Sequence, residues 1–231
     1  MKLAIMQPYF LPYIGYWQLL AMADAFVLYD NIQYTKKGWI NRNRFLQNGK
    51  DALFTLPLKK DSDFRPVVER FLADDFDCDK LLGQLEGSYR KAPFFQTVFP
   101  VIASVVRAEH ANLFDYIHHS IRVIADFLSI KTPIVVSSSI AIDHSLRGES
   151  KVLALCKTMG ATNYVNTIGG QELYSKSTFA ACGITLEFIK TRPISYQQYG
   201  ADFVANLSII DVMMFNSRES IHAMLDEYDL V

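Results

Sequence analysis

Two strand-length apolar runs stand within the first thirty residues, each giving way to a polar loop, and they limit the fold more than any other feature. The first covers residues 2–6 and meets Gln7-Pro8; the second, Phe26 to Tyr29, ends at Asp30. Apolar runs without alternation mark strands buried on both faces, as in parallel sheets covered by helices. Pro8 and Pro12 exclude helix from the first loop and stiffen it. From Tyr13 to Ala23 apolar residues recur at helical spacing, with Gly15 in the opening turn, where it lets a ligand or a neighbouring strand approach the helix. Strand, loop, helix, strand is the start of a parallel sheet, and both loops should open at its carboxyl edge, where α/β proteins place ligands.

The rest of the chain keeps that plan with one interruption. Asn48-Gly49 predicts a hairpin between INRNRFLQ and DALFTLPL. A turn over residues 61–66 leads into a short β-like piece, VVERFLA. Residues 77–128 then read as a helical insertion of three helices, Asp77 to Arg90, Pro93 to Arg107 and Ala111 to Leu128, with Asp77 suited to the first start. The α/β texture returns with strands at 134–136, 163–166 and 184–189, helices at 149–159 and from Gln171 to about Ala181, and helices at the end starting near Ser208 and covering 218–228. Alternating strands and helices predict a Rossmann-like α/β fold, a mainly parallel sheet of five or six strands within one domain over 1–231.

Composition narrows the function. At 231 residues and 50% apolar, the chain can bury one substantial core. A net charge of -1 argues against genomic nucleic acid or a membrane surface as partner, since both call for a basic field. Cys78, Cys156 and Cys182 are widely separated and odd in number, which fits free thiols in a reducing compartment. MKLAIMQPYF does not read as a signal peptide, and the apolar stretch Val101 to Val106 is too short to span a bilayer. A cytoplasmic protein without membrane insertion is expected. Whether it forms a homo-oligomer is left open.

The loop after Asp30 carries the densest chemistry. Asp30, Asn31, Gln33, Lys36, Lys37, Asn41, Arg42, Asn43 and Arg44 fall within fifteen positions, interleaved with Tyr34 and Trp39. Amides, cations and rings so close together suit a grip on a polar small molecule. Asp30 at a strand end is either a catalytic or ribose-binding carboxylate or a plain turn residue. Further on, Asp143, His144, Ser145 and Arg147 crowd one loop; neighbours so near in sequence suit substrate anchoring better than a catalytic triad. Gly169-Gly170, between strand and helix, could turn bare amides toward an anion. Neither a GxGxxG nor a P-loop pattern is present.

The early glycine of the first helix and the polar end of the second strand are similar to the nucleotidyltransferase and class I synthetase plan. That plan implies a His-x-Gly-His sequence on ATP, whereas Pro12-Tyr13-Ile14-Gly15-Tyr16 has the glycine and no histidine. A closer resemblance covers the whole chain. Gln7-Pro8-Tyr9, Pro12, Gly15-Tyr16-Trp17, Asp30, Trp39-Ile40-Asn41-Arg42-Asn43, Gly169-Gly170, Tyr174, Tyr196-Gln197 and Leu207-Ser208-Ile209-Ile210-Asp211 match the pattern of the WbqC-like protein family, with Trp17 in place of the usual phenylalanine.

The resemblance implies a role in bacterial surface-polysaccharide biosynthesis, including O-antigen and lipopolysaccharide: attaching an aminoacyl group such as glycine to the amine of a nucleotide-linked amino sugar. Such a transferase or ligase would draw on either ATP or an activated aminoacyl donor, and needs a base for the amine and stabilisation of an oxyanion. Asp30, Lys37, Asn41 and Arg42 are the catalytic candidates. Gln7, Tyr9, Gly15, Tyr16, Trp39, Asn43, His144, Gly169, Gly170, Tyr174, Gln197 and Asp211 are the candidates for substrate binding, and no metal ligand set is expected. The alternatives are an ATP-dependent adenylyl- or nucleotidyltransferase of similar fold and a non-catalytic nucleotide-sugar-binding protein.

Overall fold

The computed structural model describes residues 1–200 and 202–231. Strands β1 (Lys2–Met6) and β2 (Ala25–Leu28) pair in parallel on either side of helix α1 (Ile14–Met22), and every residue of β2 is buried. A separate antiparallel hairpin follows, β3 (Arg42–Gln47) and β4 (Lys50–Thr55). Its turn is made by Asn48 and Gly49, at φ 52° and 75°, the left-handed pair that an Asn-Gly hairpin requires. Helices α2 (Cys78–Tyr89), α3 (Phe95–Val106) and α4 (Leu113–Phe127) come next. Asp77 caps α2 by accepting from the Lys80 amide, and Asn112 caps α4 by accepting from the amides of Phe114 and Asp115.

The sheet resumes with β5 (Ile134–Val136), α5 (Gly148–Thr158), β6 (Asn163–Thr167), α6 (Lys176–Ala180) and β7 (Thr185–Thr191), and the chain closes with α7 (Ile209–Phe215), α8 (Arg218–Leu225) and β8 (Tyr228–Leu230). The six-stranded sheet runs β5-β2-β1-β6-β7-β8, parallel except for β8. The chain moves outward from β1 to β2 and β5, then crosses back to β6 and β7. The order therefore reverses between β1 and β6, a Rossmann-like switch point at which the carboxyl ends of neighbouring strands part and leave a crevice.

Both faces are covered. Ala4, Phe26, Leu28, Val165 and Ile189 pack with α1, α2 to α4, α7 and α8. Leu3, Ile5, Val27, Tyr164, Leu186 and Phe188 face Val152, Leu155 and Cys156 of α5 and Phe179 of α6. Burial at about 25 cal/mol per Å² of apolar surface on both sides is what turns the apolar runs into central strands.

Three local expectations need correction. VVERFLA does not form a strand: Val67–Glu69 is a 3₁₀ turn, and only the single bridges Leu58 to Leu72 and Phe71 to Asn112 follow. The Gly-Gly turn does not run straight into a long helix; a 3₁₀ segment over Ile168–Leu173 is broken by Tyr174 in extended backbone before the five residues of α6, capped by Ser175. The last helix stops at Leu225, because residues 228–230 leave it to pair with Ile189–Thr191 as β8.

Candidate functional site

The carboxyl edge of the sheet holds a cavity of about 520 Å³, lined by Tyr29 and Asn31 from the end of β2, by His144, Arg147, Gly148 and Lys151 at the start of α5, and by Tyr174. That volume lies in the range of small-molecule sites. Asp30 lies under its wall, 1% exposed. One carboxylate oxygen, Oδ1, accepts from Ser137 Oγ at 2.7 Å and from the Ser138 amide at 2.9 Å, tying the end of β2 to the turn after β5. The other, Oδ2, is buried without a partner.

Asn31 links the wall together. Its Oδ1 accepts from Lys151 Nζ at 3.2 Å and faces Ser137 Oγ at 2.9 Å, while its Nδ2 lies 3.0 Å from His144 Nδ1. His144 Nε2 sits 3.0 Å from the Ile140 carbonyl. A carbonyl can only accept, so Nε2 carries the proton and Nδ1 accepts from Asn31, an assignment made from the hydrogen-bond network.

Lys151 is the unusual group of this wall. It is 1% exposed, and no carboxylate lies within ion-pair distance of its ammonium among the described residues. Its Nζ lies 5.1 Å from the centre of the Tyr29 ring. Burial, reinforced by the charge of Arg147 and opposed by that of Asp30, lowers its pKa from the ordinary 10.5. Helix α5 opens at this point without a side-chain cap, since Arg147 occupies the capping position. Free first-turn amides, the positive end of the helix dipole and two cations therefore converge on one cavity, an arrangement that holds an anion. Tyr29 is pushed up to about 12 by burial and by the neighbouring Tyr174, so its phenol stays neutral at physiological pH.

Of the residues singled out in the sequence, Asn31, Gln33, His144, Arg147 and Tyr174 line this cavity and Asp30 braces it. A different group gathers at a second cleft of about 310 Å³, lined by Tyr9, Pro12, Tyr13, Trp39, Asn43, Arg44 and Asn206. Gln7 and Tyr16 adjoin it: Tyr9 OH lies 3.4 Å from Gln7 Oε1, Tyr16 OH donates to the Gln7 carbonyl at 3.1 Å, and the rings of Tyr9 and Tyr16 are 5.8 Å apart. Arg42 places its guanidinium 5.5 Å from the Trp39 ring and donates through Nε to the Gly38 carbonyl at 2.8 Å and through Nη2 to the Lys37 carbonyl. Lys37 itself is exposed, at φ 64°.

Several candidates have their polar groups committed within the protein. Asn41 accepts from Tyr34 OH at 2.9 Å and donates to the Leu56 carbonyl at 2.8 Å, bracing the loop on the hairpin. Asp211 is fully buried and accepts from Tyr89 OH, Tyr196 OH and Gln198 Nε2 at 2.6–2.9 Å. Gln197 donates to the Gln198 carbonyl. Gly15 admits a strand rather than a ligand, for a Cβ there would lie 2.7 Å from Thr191 Oγ1 of β7. Gly170 allows the turn after β6 to pass close to the Asn166 side chain, 3.1 Å from where its Cβ would sit, while Gly169 faces open space.

The sequence reading passed over Lys151, Tyr29 and Ser137. A signal for Lys151 existed: it falls in phase with the buried Val152, Leu155 and Cys156, on the apolar stripe of α5. A lysine there is either misplaced or has an anion to meet. Among the described residues no three His, Cys, Asp or Glu side chains converge as metal ligands would, and no helix is long and apolar enough to cross a membrane.

The sequence profile of the WbqC-like protein family matches residues 7–223. The chain belongs to the WbqC-like protein family. The match takes in both clefts, from the Gln7 loop through β3 to the Lys151 helix and α7. An uncharacterized protein of Mycobacterium tuberculosis, Rv1507c, is 29% identical over 220 residues, covering 93% of each chain. No solved structure matches the chain significantly.

Proposed function

We propose that this WbqC-like protein is a transferase that holds the phosphates of a nucleotide-linked amino sugar in the carboxyl-edge cavity and joins an acyl group, such as glycine, to the sugar amine. One observation carries the reading: Lys151 is buried to 1% exposure in the cavity wall, hydrogen-bonded among the described residues only to the neutral Asn31. A buried ammonium with no carboxylate in ion-pair contact among the described residues, and with Asp30 acting on it only from farther away, is costly, and an anionic ligand offsets the cost. Arg147 and the uncapped amides of α5 supply the remaining donors. The acyl transfer itself follows the family resemblance. In it the sugar amine attacks the donor carbonyl, the carbon–nitrogen bond forms as the donor's leaving group departs, and the amine gives up a proton.

Thermal-shift titration with inorganic pyrophosphate, uridine diphosphate and free glucosamine tests the grip, because a ligand that prefers the native state raises the melting temperature. Pyrophosphate and uridine diphosphate should raise it in the unaltered protein and fail to do so in Lys151→Met and Arg147→Gln. Equal responses in all three proteins would remove the proposal. Incubation with a nucleotide-linked amino sugar and candidate glycyl donors, read by mass spectrometry for a glycylated sugar, tests the chemistry.

A further inference from the structure

The second cleft is built to a standard that loop packing does not require. Leu11, next in the chain to Pro12 of the lining, is buried at φ 46°, in the left-handed region that bulky residues avoid. The strained peptide is held from two sides: Asn43 Nδ2 and Ser208 Oγ each donate to the Leu11 carbonyl at 2.7 Å, and Asn43 Nδ2 also lies 3.3 Å from the Phe10 carbonyl. Asn206, also in the lining, is left-handed as well, at φ 57°. Over-determined strain of this kind gathers where a surface must keep a fixed shape for a ligand.

What the cleft offers is rings. Tyr9, Tyr13 and Trp39 line it, and Trp39 is 41% exposed although it is among the largest apolar side chains. The guanidinium carbons of Arg42 and Arg44 each lie 5.5 Å from the centre of the indole. Part of the polar wall is already engaged within the protein. Asn43 Oδ1 accepts from the Arg44 amide, and Arg44 donates through Nη1 to Asp51 and through Nη2 to the Asn206 carbonyl, both at 3.2 Å. Arg44 Nε is buried and has no acceptor.

From this geometry we infer that the cleft is a stacking subsite for the planar base of a nucleoside. Three rings suit a flat heterocycle, since every base presents a π-face to aromatic side chains. Asn43 is engaged with the Phe10 and Leu11 carbonyls and the Arg44 amide, and each Nη of Arg44 already has one acceptor, so the wall offers a polyhydroxylated sugar fewer directional partners than its residue types suggest. The subsite stands apart from the Lys151 cavity, with which its lining shares no residue. It therefore does not depend on the phosphate-binding reading.

Calorimetric titration of the full chain with uridine and adenosine, which have a base and no phosphate, tests the inference, with glucosamine as the sugar control. Uridine or adenosine should bind saturably, at least about tenfold more weakly in Trp39→Ala, and equally well in Lys151→Met. Trp39 is half exposed at the surface, so its replacement leaves the core intact, and circular dichroism verifies that the variant is folded. Three results overturn the inference: no nucleoside binding, nucleoside binding that is lost in Lys151→Met and kept in Trp39→Ala, or glucosamine bound through Trp39 while nucleosides are not. If uridine binds through Trp39 while pyrophosphate fails to stabilise the protein, the subsite stands and the phosphate-binding reading falls.

Discussion

Replacing Lys151 by methionine should make the protein more stable and less able to bind an anion. The side chains are similar in length and volume, so the buried position on α5 stays filled. Its one hydrogen bond runs to Asn31 Oδ1, which remains within 2.9 Å of Ser137 Oγ after the change. No carboxylate is orphaned as an ion-pair partner, since among the described residues none lies within ion-pair distance of Nζ. What disappears is the desolvation cost of a buried cation, set against its longer-range attraction to Asp30, and removal of buried charge in favour of an apolar group of equal volume stabilises folds by about 1–2 kcal/mol at the low end of measured cases. For a chain of this size that is roughly 2–8 °C in melting temperature. Loss of a charged donor to phosphate costs about 1.5–3 kcal/mol, or roughly 10- to 150-fold in affinity for pyrophosphate.

The pH dependence gives the same prediction a second handle. Burial lowers the Lys151 pKa in the folded protein below its ordinary 10.5. Between the two values the unfolded chain binds the proton and the folded one does not, so the stability of the unaltered protein rises with pH across that window. The advantage of Lys151→Met should accordingly be largest at neutral pH and shrink as pH approaches 10.5. Urea denaturation of both proteins across this range, together with calorimetry of pyrophosphate binding, reads both effects. A variant that is less stable, or that binds pyrophosphate as before, would show that the ammonium is satisfied within the fold and has no anion to meet.

Three further substitutions test how the surrounding structure is held. Asp211→Ala leaves two tyrosine hydroxyls and one N–H of the Gln198 amide, whose other goes to the Val204 carbonyl, without their acceptor, and should cost about 3 kcal/mol in urea denaturation. Burial also raises the pKa of Asp211; its folded form keeps the proton to higher pH than the unfolded chain, so this residue should weaken the fold as pH rises through its titration, a slope that Asp211→Asn should lack. Gly15→Ala would bring a Cβ to 2.5 Å from the Tyr13 ring and 2.7 Å from Thr191 Oγ1, an atom fixed by its bond to Gln18; a loss of about 1–3 kcal/mol is expected, read as a lowered melting temperature. Asn43→Ala strips the Phe10 carbonyl of its side-chain donor and leaves the strained Leu11 peptide held by Ser208 alone, and should destabilise the protein by about 1–3 kcal/mol in the same urea assay while weakening uridine binding in calorimetry.

The frame of the fold was legible because local rules and burial agree there. Leu3 to Ile5 and Phe26 to Leu28 are buried on both faces as an unbroken apolar run demands, Asn48-Gly49 can take the left-handed pair that closes a hairpin, and Asp77 caps the helix it precedes. Strand β8 was not legible, since three residues with one charge carry no period and their pairing is supplied wholly by the distant Ile189–Thr191. The site was legible in part for the same reason. A sequence shows which side chains can make hydrogen bonds and not which partners claim them. Asn41, Arg42 and Asn43 look like ligand groups, yet their donors go to the carbonyls of Leu56, of Gly38 and Lys37, and of Phe10 and Leu11. Those bonds hold a loop in one shape, which leaves the rings of Tyr9, Tyr13 and Trp39 as its exposed surface. Lys151 shows the converse. It looks like an ordinary helix lysine until its neighbours Val152, Leu155 and Cys156 are seen to be buried, and its Nζ then has one neutral partner. The residues most open to a ligand are thus the ones the fold leaves unsatisfied, and they become visible only when each buried polar atom is followed to its partner.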